Sequence, residues 1–336
     1  MRVAQIPKAG APFEIVERPI PQPGAHQVQI KIDACGVCHS DQIFKEGQWP
    51  GMKFPCVPGH EVAGRVTKLG TGVNIFKVGQ RVGVGWNGGY CSECQPCRAG
   101  DFPYCTTGAT TAASFDGGYA EYMVAPESAV AAMPEELDPV EAAPLLCAGI
   151  TTFNALRNSG ARPGDLVAIQ GIGGLGHLAV QFASKSGYKT VAISRGADKE
   201  ALARELGANF YIDDTNGDAA KQLTEMGGAQ VILATAPNAQ AISALASGLK
   251  YKGKLLIVAA PHDNVQVSPL LLLMGSRSVA GWYSGYAKDS EETLAFSALT
   301  GIRPRIEVFP LEKVNEAYER MLSNKARFRV VLKMGA

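Results

Sequence analysis

No apolar run of membrane-spanning length occurs in this sequence. The block of large apolar side chains at residues 270–274 is far short of the ~20 that a spanning helix needs. The start, Met1-Arg2-Val3-Ala4-Gln5-Ile6-Pro7-Lys8, has no apolar core behind its charge, so the chain reads as cytoplasmic, with no membrane partner. Net charge is nearly absent too: 32 Lys plus Arg oppose 31 Asp plus Glu, a formal +1 that offers a polyanion no global attraction. With no Cys2His2 finger either, nucleic-acid recognition is not expected. Charged residues make up only 19% against 46% hydrophobic, which excludes disorder driven by charge excess. At ~150 residues per domain, 336 residues correspond to about two domains, each able to bury its own core.

Cysteine is missing after residue 147. All eight cysteines (Cys35, Cys38, Cys56, Cys91, Cys94, Cys97, Cys105 and Cys147) fall before residue 148, and in a reducing compartment such clustering argues for metal or nucleophilic chemistry before disulfides. Most of the 20 prolines share that half, between short β-branched segments such as 28–32 and 62–66, which predicts an irregular, mainly-β domain. From Asp165 the texture changes. Apolar runs at 166–170, 190–194, 210–212, 230–234, 254–260 and 278–281 alternate with helical stretches, and Leu175, Leu178, Ala179, Phe182 and Ala183 form the stripe of a helix buried on one face. This alternation predicts a doubly wound parallel sheet, making the chain an α/β protein. Leu311, Val314, Ala317, Tyr318, Met321 and Leu322 then mark an amphipathic helix, with a closing strand over 327–334.

The first of these strands runs into Gly171-Ile172-Gly173-Gly174-Leu175-Gly176, and the striped helix follows at once. A G-x-G-x-x-G turn between strand and helix lets the backbone approach a pyrophosphate at the helix N-terminus, so these six residues are expected to bind a dinucleotide. The second strand ends in Ser194-Arg195, where an NAD site would usually present an acidic residue to the ribose 2′-OH. A carboxylate would repel a 2′-phosphate. Ser194 can instead donate to it and Arg195 pair with it, aided by Lys199, so NADP(H) is preferred over NAD(H).

Cys91, Cys94, Cys97 and Cys105 form a Cys-x2-Cys-x2-Cys-x7-Cys loop. Four thiolates so close in sequence can enclose one tetrahedral zinc, and the resulting charge of about −2 with no vacant position suits a structural ion rather than a catalytic one. An iron–sulfur cluster would use the same count, but this spacing matches no ferredoxin pattern. Cys38, His60 and Cys147 are scattered and each alone has a bland explanation, Cys147 more often being a small core residue and a lone His60 a satisfied structural histidine.

Taken in order, Gly36-Val37-Cys38-His39-Ser40-Asp41, Gly59-His60-Glu61-Val62-Ala63-Gly64, the four-cysteine lobe, Cys147-Ala148-Gly149-Ile150-Thr151 and the glycine loop resemble the zinc-dependent medium-chain alcohol dehydrogenases over essentially the whole chain. The Cys2His set is the known catalytic zinc site of alcohol dehydrogenase, and its geometry is what the resemblance implies. The resemblance implies a GroES-like catalytic domain formed by residues 1–149 and 288–336, with a Rossmann cofactor domain, 150–287, inserted. It implies that Cys38, His60 and Cys147 ligate a catalytic zinc, for two Zn2+ per chain. Glu61 resembles the family's carboxylate that approaches the metal, and Asp41 the acceptor that orients His60.

By the same resemblance Ser40 takes the substrate proton. The histidine that ends this relay in many relatives is replaced by Ile43, which leaves His39 or water to complete it. His39 and Arg329 resemble cations at the cofactor pyrophosphate, Thr151 a contact near the nicotinamide, and Trp49 and Trp86 walls of the substrate pocket.

The activity implied is reversible hydride transfer between NADP(H) and primary alcohols or aldehydes, aromatic or allylic among them. The family's assemblies imply a homo-dimer or homo-tetramer, with 269–274 and 279–283 as the pairing surface. Two rivals are a zinc-free NADPH-dependent quinone or enone reductase and a non-catalytic cofactor-sensing zinc protein. Cys35 and Cys56 are expected in the core, His26 at the surface, and His177 and His262 either packed, exposed or beside the cofactor.

Overall fold

A computed structural model of the chain describes residues 1–335. The chain separates into two compact units, one formed by Met1–Ile150 with Gly285–Ala336 and the other by Thr151–Ser284.

The second unit is an open sheet of six parallel strands. Their spatial order is Phe210–Asp213, Lys189–Ser194, Leu166–Gln170, Ala229–Ala234, Leu249–Ile257 and Ser278–Gly281. The order of the strands reverses direction beside Leu166–Gln170, the switch point at which doubly wound sheets take a nucleotide. The central strands read as continuous apolar runs because helices cover both faces: Val167, Ala168, Ile169, Val231, Ile232 and Leu233 are all fully buried. One strand differs from its sequence pattern. Expected at 254–260, it begins at Leu249 and ends at Ile257, with a register shift opposite Ala229 and Val231. The early part was illegible because the exposed Tyr251 and Lys252, with Lys250 paired to Asp165, break the apolar run.

The first unit is built on a seven-stranded sheet. Its long strand Gln27–Val37 pairs with Val62–Leu69, Tyr122–Pro126 and Arg329–Lys333. Ile306–Pro310 lies parallel to Arg329–Lys333 at the sheet's edge. Tyr318 and Ala317, on the helix Val314–Leu322, seal the same core as Ile30, Val62 and Met123. Residues from beyond the inserted unit therefore complete the sheet that begins near residue 27. No helix of the described residues is long and apolar enough to cross a membrane.

Candidate active site

The strand Gln27–Val37 ends where Cys38 begins, and the short helix Asp41–Lys45 turns directly after it. His60 and Glu61 stand immediately before the strand Val62–Leu69, and Cys147 sits between the turn Ala143–Leu146 and the helix Ala148–Arg157. These elements bring together a sulfur from Cys38, a sulfur from Cys147, a ring nitrogen of His60 and a carboxylate oxygen of Glu61, all within 4.8 Å of one another. Gly36 is required for this convergence, because a Cβ there would lie 1.8 Å from Glu61 Oε2.

This donor set fits zinc. Ligand sulfurs ~2.3 Å from a tetrahedral zinc lie about 3.8 Å apart, and Cys38 Sγ and Cys147 Sγ are separated by 3.8 Å. His60 Nε2 and Glu61 Oε2 are buried and have no hydrogen-bond partner, a costly arrangement unless something accepts their lone pairs. The thiols are electrostatically unequal. The Cys147 thiol beside it, followed by His60, holds Cys38 well below the usual thiol range, while the same contact pushes Cys147 well above it. A divalent ion bound here would take both sulfurs as thiolates.

Asp41 fixes the imidazole. It is fully buried, and its Oδ2 accepts from the Cys38 N–H at 2.9 Å and from the Tyr119 hydroxyl at 2.8 Å, leaving Oδ1 3.2 Å from His60 Nδ1. That last pair is within ion-pair reach without hydrogen-bond alignment. Burial opposes a charge on His60, but Asp41 and Cys38 outweigh it and raise the imidazole well above its ordinary value. Glu61 is pushed up to about 7 by burial, against the pull of Arg329, whose guanidinium contacts its Oε1. Arg329 is only 6% exposed, in a pocket formed by Glu61 and the Val37 carbonyl. Neither Tyr119 nor the Arg329–Glu61 pair was visible in the sequence; the one hint was the doublet Gly117-Gly118 before Tyr119, which signals close packing.

Trp86 places its ring edge-on to His60, with centroids 4.8 Å apart, and stacks on Phe44 at 5.5 Å; Trp49 meets both at 5.6–5.9 Å. Phe44 is fully buried and supports two partly exposed indoles, a role that its position in a short helix did not reveal. Ser40 is partly exposed and makes no side-chain cap to the helix it precedes, so its hydroxyl is not spent on the backbone. His39 is exposed and Ile43 partly buried.

Cys91, Cys94, Cys97 and Cys105 also converge, with sulfurs 3.5 to 4.0 Å apart across three of the pairs. The backbone N–H groups of Cys94 and Glu93 lower the Cys91 thiol to about 6. Cys35 and Cys56 are buried and belong to neither cluster.

In the other unit, the loop from Gly171 to Leu175 joins the strand Leu166–Gln170 to the helix Gly176–Lys185. Gly171 has φ +92°, a Cβ on Gly173 would meet nothing within 4 Å, and one on Gly176 would lie 1.8 Å from the Gly171 carbonyl. The three glycines therefore provide the turn, an open face for a ligand and the close helix–strand approach. His177 is buried, with Nδ1 2.8 Å from the Gly173 carbonyl. Ser194 closes the second strand with Lys199 Nζ 3.3 Å from its hydroxyl, and Arg195 is exposed. Thr151 is buried, His262 is exposed, and His26 is exposed and paired with Glu127.

A dinucleotide loop in one unit and a buried Cys2His-plus-carboxylate cluster in the other define a metal-assisted oxidoreductase. Comparison with known proteins agrees. Residues 24–135 match the alcohol dehydrogenase GroES-like domain and residues 174–298 the zinc-binding dehydrogenase domain. Alcohol dehydrogenase notN of Aspergillus sp. (strain MF297-2) is 45% identical over 325 residues, 97% of this chain and 95% of that protein.

Among solved structures, a cinnamyl alcohol dehydrogenase from Sorghum bicolor has a TM-score of 0.88 and 33% identity, covering 99% of this chain and 97% of that one. CAD from Helicobacter pylori, complexed with NADP(H), has a TM-score of 0.87 and 30% identity, covering 99% and 97%. The chain belongs to the zinc-dependent medium-chain alcohol dehydrogenase family and is an alcohol dehydrogenase.

Proposed function

We propose that the chain catalyses reversible, NADP(H)-linked interconversion of primary alcohols and aldehydes, aromatic and allylic ones among them, with one catalytic and one structural zinc. The observation that carries this reading is the buried cluster of Cys38, His60, Glu61 and Cys147, flanked by the Trp86 and Trp49 rings. Cys38, His60 and Cys147 would hold the catalytic zinc, with Glu61 as an approaching carboxylate, and the four-cysteine loop would hold the structural one. When bound, zinc supplies a Lewis acid for the substrate oxygen.

The chain's own side chains do the rest. Ser40 accepts the alcohol proton through its free hydroxyl, and exposed His39 or solvent carries it away, since Ile43 cannot. The two indoles shape a slim apolar slot for a planar substituent, in keeping with the cinnamyl alcohol dehydrogenase neighbour. Arg329, paired with Glu61, is the second cation proposed for the cofactor pyrophosphate. Thr151 lies near the nicotinamide.

The cofactor preference rests on Ser194, Arg195 and Lys199. The strand that usually supplies a ribose-binding carboxylate ends here in a hydroxyl with an ammonium beside it, an arrangement that suits a phosphate. Kinetics with NADPH and NADH across an aldehyde panel, with zinc counted per chain on the same preparation, tests the whole reading. Charge-assisted hydrogen bonds to the phosphate should make NADPH better by about tenfold or more. Equal efficiency with both nucleotides, or full activity at no zinc, overturns it.

The chain is also proposed to form a homo-oligomer. The strand Ser278–Gly281 is an unpaired edge of the parallel sheet, and beside it the helix Pro269–Gly275 exposes Leu270, Leu273 and Met274 by 65–76%. An open edge flanked by large apolar side chains is a surface that a second copy would cover.

A further inference from the structure

Of the two cations of the proposed 2′-phosphate site, Arg195 follows the strand Lys189–Ser194 and Lys199 ends a tight turn, Ala197–Lys199, that leads into the helix Glu200–Glu205. Between Arg195 and Lys199 the chain passes through Gly196, at φ +83° and ψ +144°, a conformation that glycine adopts without strain. Both polar groups of that glycine are held from the neighbouring strand. Its N–H donates to Asp213 Oδ1 at 2.8 Å and to Thr215 Oγ1 at 3.2 Å, and its carbonyl accepts from the Tyr211 hydroxyl at 2.5 Å. Tyr211 and Asp213 lie on Phe210–Asp213, which runs parallel to Lys189–Ser194 with Asp213 in register with Ser194. The turn thus returns Lys199 to within 3.3 Å of the Ser194 hydroxyl.

We propose that Tyr211 and Asp213 are positioning residues for cofactor choice: by clamping the Gly196 peptide on both sides, they hold Arg195 and Lys199 where an adenosine 2′-phosphate is received. The inference rests on the NADP(H) reading above. Neither residue is required to touch the nucleotide. The clamp removes the turn's freedom before binding, so the phosphate contacts form without first ordering the loop.

Asp213 is also a negative charge next to a site proposed for an anion, and the clamp explains why it is tolerated. Its Oδ1 accepts from the Gly196 N–H, the Thr215 N–H at 3.0 Å and the Thr215 hydroxyl at 2.5 Å. These donors compensate its charge and direct it at the backbone. What matters is therefore the acceptor and not the charge, which sets the sign for two substitutions at one position. Asp213→Asn keeps an acceptor and sheds the charge, whereas Asp213→Ala loses both.

The experiment measures kcat and KM for NADPH and NADH with one aldehyde, for the wild type, Tyr211→Phe, Asp213→Ala and Asp213→Asn. Calorimetric binding of adenosine 2′,5′-bisphosphate and of AMP is measured in parallel. Loss of one clamp hydrogen bond should raise the NADPH KM and the bisphosphate Kd about fivefold in Tyr211→Phe, and Asp213→Ala, which also frees Thr215, should raise them at least as far. The kcat, the NADH KM and the AMP Kd should stay at wild-type values, and Asp213→Asn should bind the bisphosphate at least as well as wild type. A wild type that prefers NADPH, combined with variants whose NADPH-to-NADH ratio is unchanged or whose KM values rise in parallel, overturns the clamp alone. A wild type with no NADPH preference overturns the cofactor reading and the clamp with it.

Discussion

The Tyr119 hydroxyl donates to Asp41 Oδ2 across 2.8 Å in a fully buried environment, although the two residues stand 78 positions apart. With the Cys38 N–H on the same oxygen, it leaves Oδ1 for His60. Tyr119→Phe removes that donor while preserving the ring. Outer partners of metal ligands typically change metal affinity by about 10- to 100-fold, so zinc release to a chelator should accelerate on that scale, with kcat/KM falling alongside. An unchanged release rate would show that Asp41 is held well enough without Tyr119.

Trp86 touches His60, Phe44 and Trp49. Trp86→Ala and Trp49→Ala should reorder aldehyde preference toward bulkier substrates, read as kcat/KM across a graded panel. If the order stays the same, the indoles do not line the pocket. Phe44→Ala acts differently: it empties a fully buried site beneath both rings and should cost about 3–5 kcal/mol of stability by denaturant titration.

Thiol chemistry distinguishes the cysteines once zinc has been removed. The Cys91 thiol, lowered to about 6 by backbone N–H groups, should be alkylated first at pH 7, whereas Cys56, raised to about 11 by burial, should resist. The thiolate is the nucleophile, so the Cys56 rate should climb about tenfold per pH unit toward 11, while the Cys91 rate levels off above its lowered value. Mass mapping of alkylated peptides after chelation gives the comparison; equal labelling of both at pH 7 contradicts it. Zinc-loaded protein should protect all four lobe cysteines.

Leu273→Glu places a charge on the exposed face of the helix Pro269–Gly275. If that face joins two copies, light scattering should show a smaller particle at the same concentration. A mass identical to wild type would assign the assembly to another surface.

How much of this was legible beforehand depended on how local each feature is. The strands Leu166–Gln170 and Ser278–Gly281 and the glycine loop are contiguous, so their patterns declare them. The early part of Leu249–Ile257 hid because the pairing jumps from Leu249 to Lys254, leaving a bulge whose Tyr251 and Lys252 are exposed and interrupt the apolar run. The four-cysteine loop is likewise local. Cys38, His60 and Cys147 are not: 109 positions separate the two cysteines, and only the family resemblance suggested joining them. Phe44, Tyr119 and the Arg329–Glu61 pair escaped because long-range packing, not periodicity, decides where such side chains go.

Arg329 reaches Glu61 from the strand Arg329–Lys333, which docks beside Gln27–Val37 only after the whole cofactor unit has been synthesised. On the ribosome, therefore, the inserted sheet can fold while its host is still missing two strands. Until they arrive, the carboxylate next to the ligands lacks its counter-charge. Were zinc held as proposed, its capture at Cys38, His60 and Cys147 would await the strand that carries Arg329, whereas the Cys91–Cys105 loop brings its four sulfurs together within one local segment.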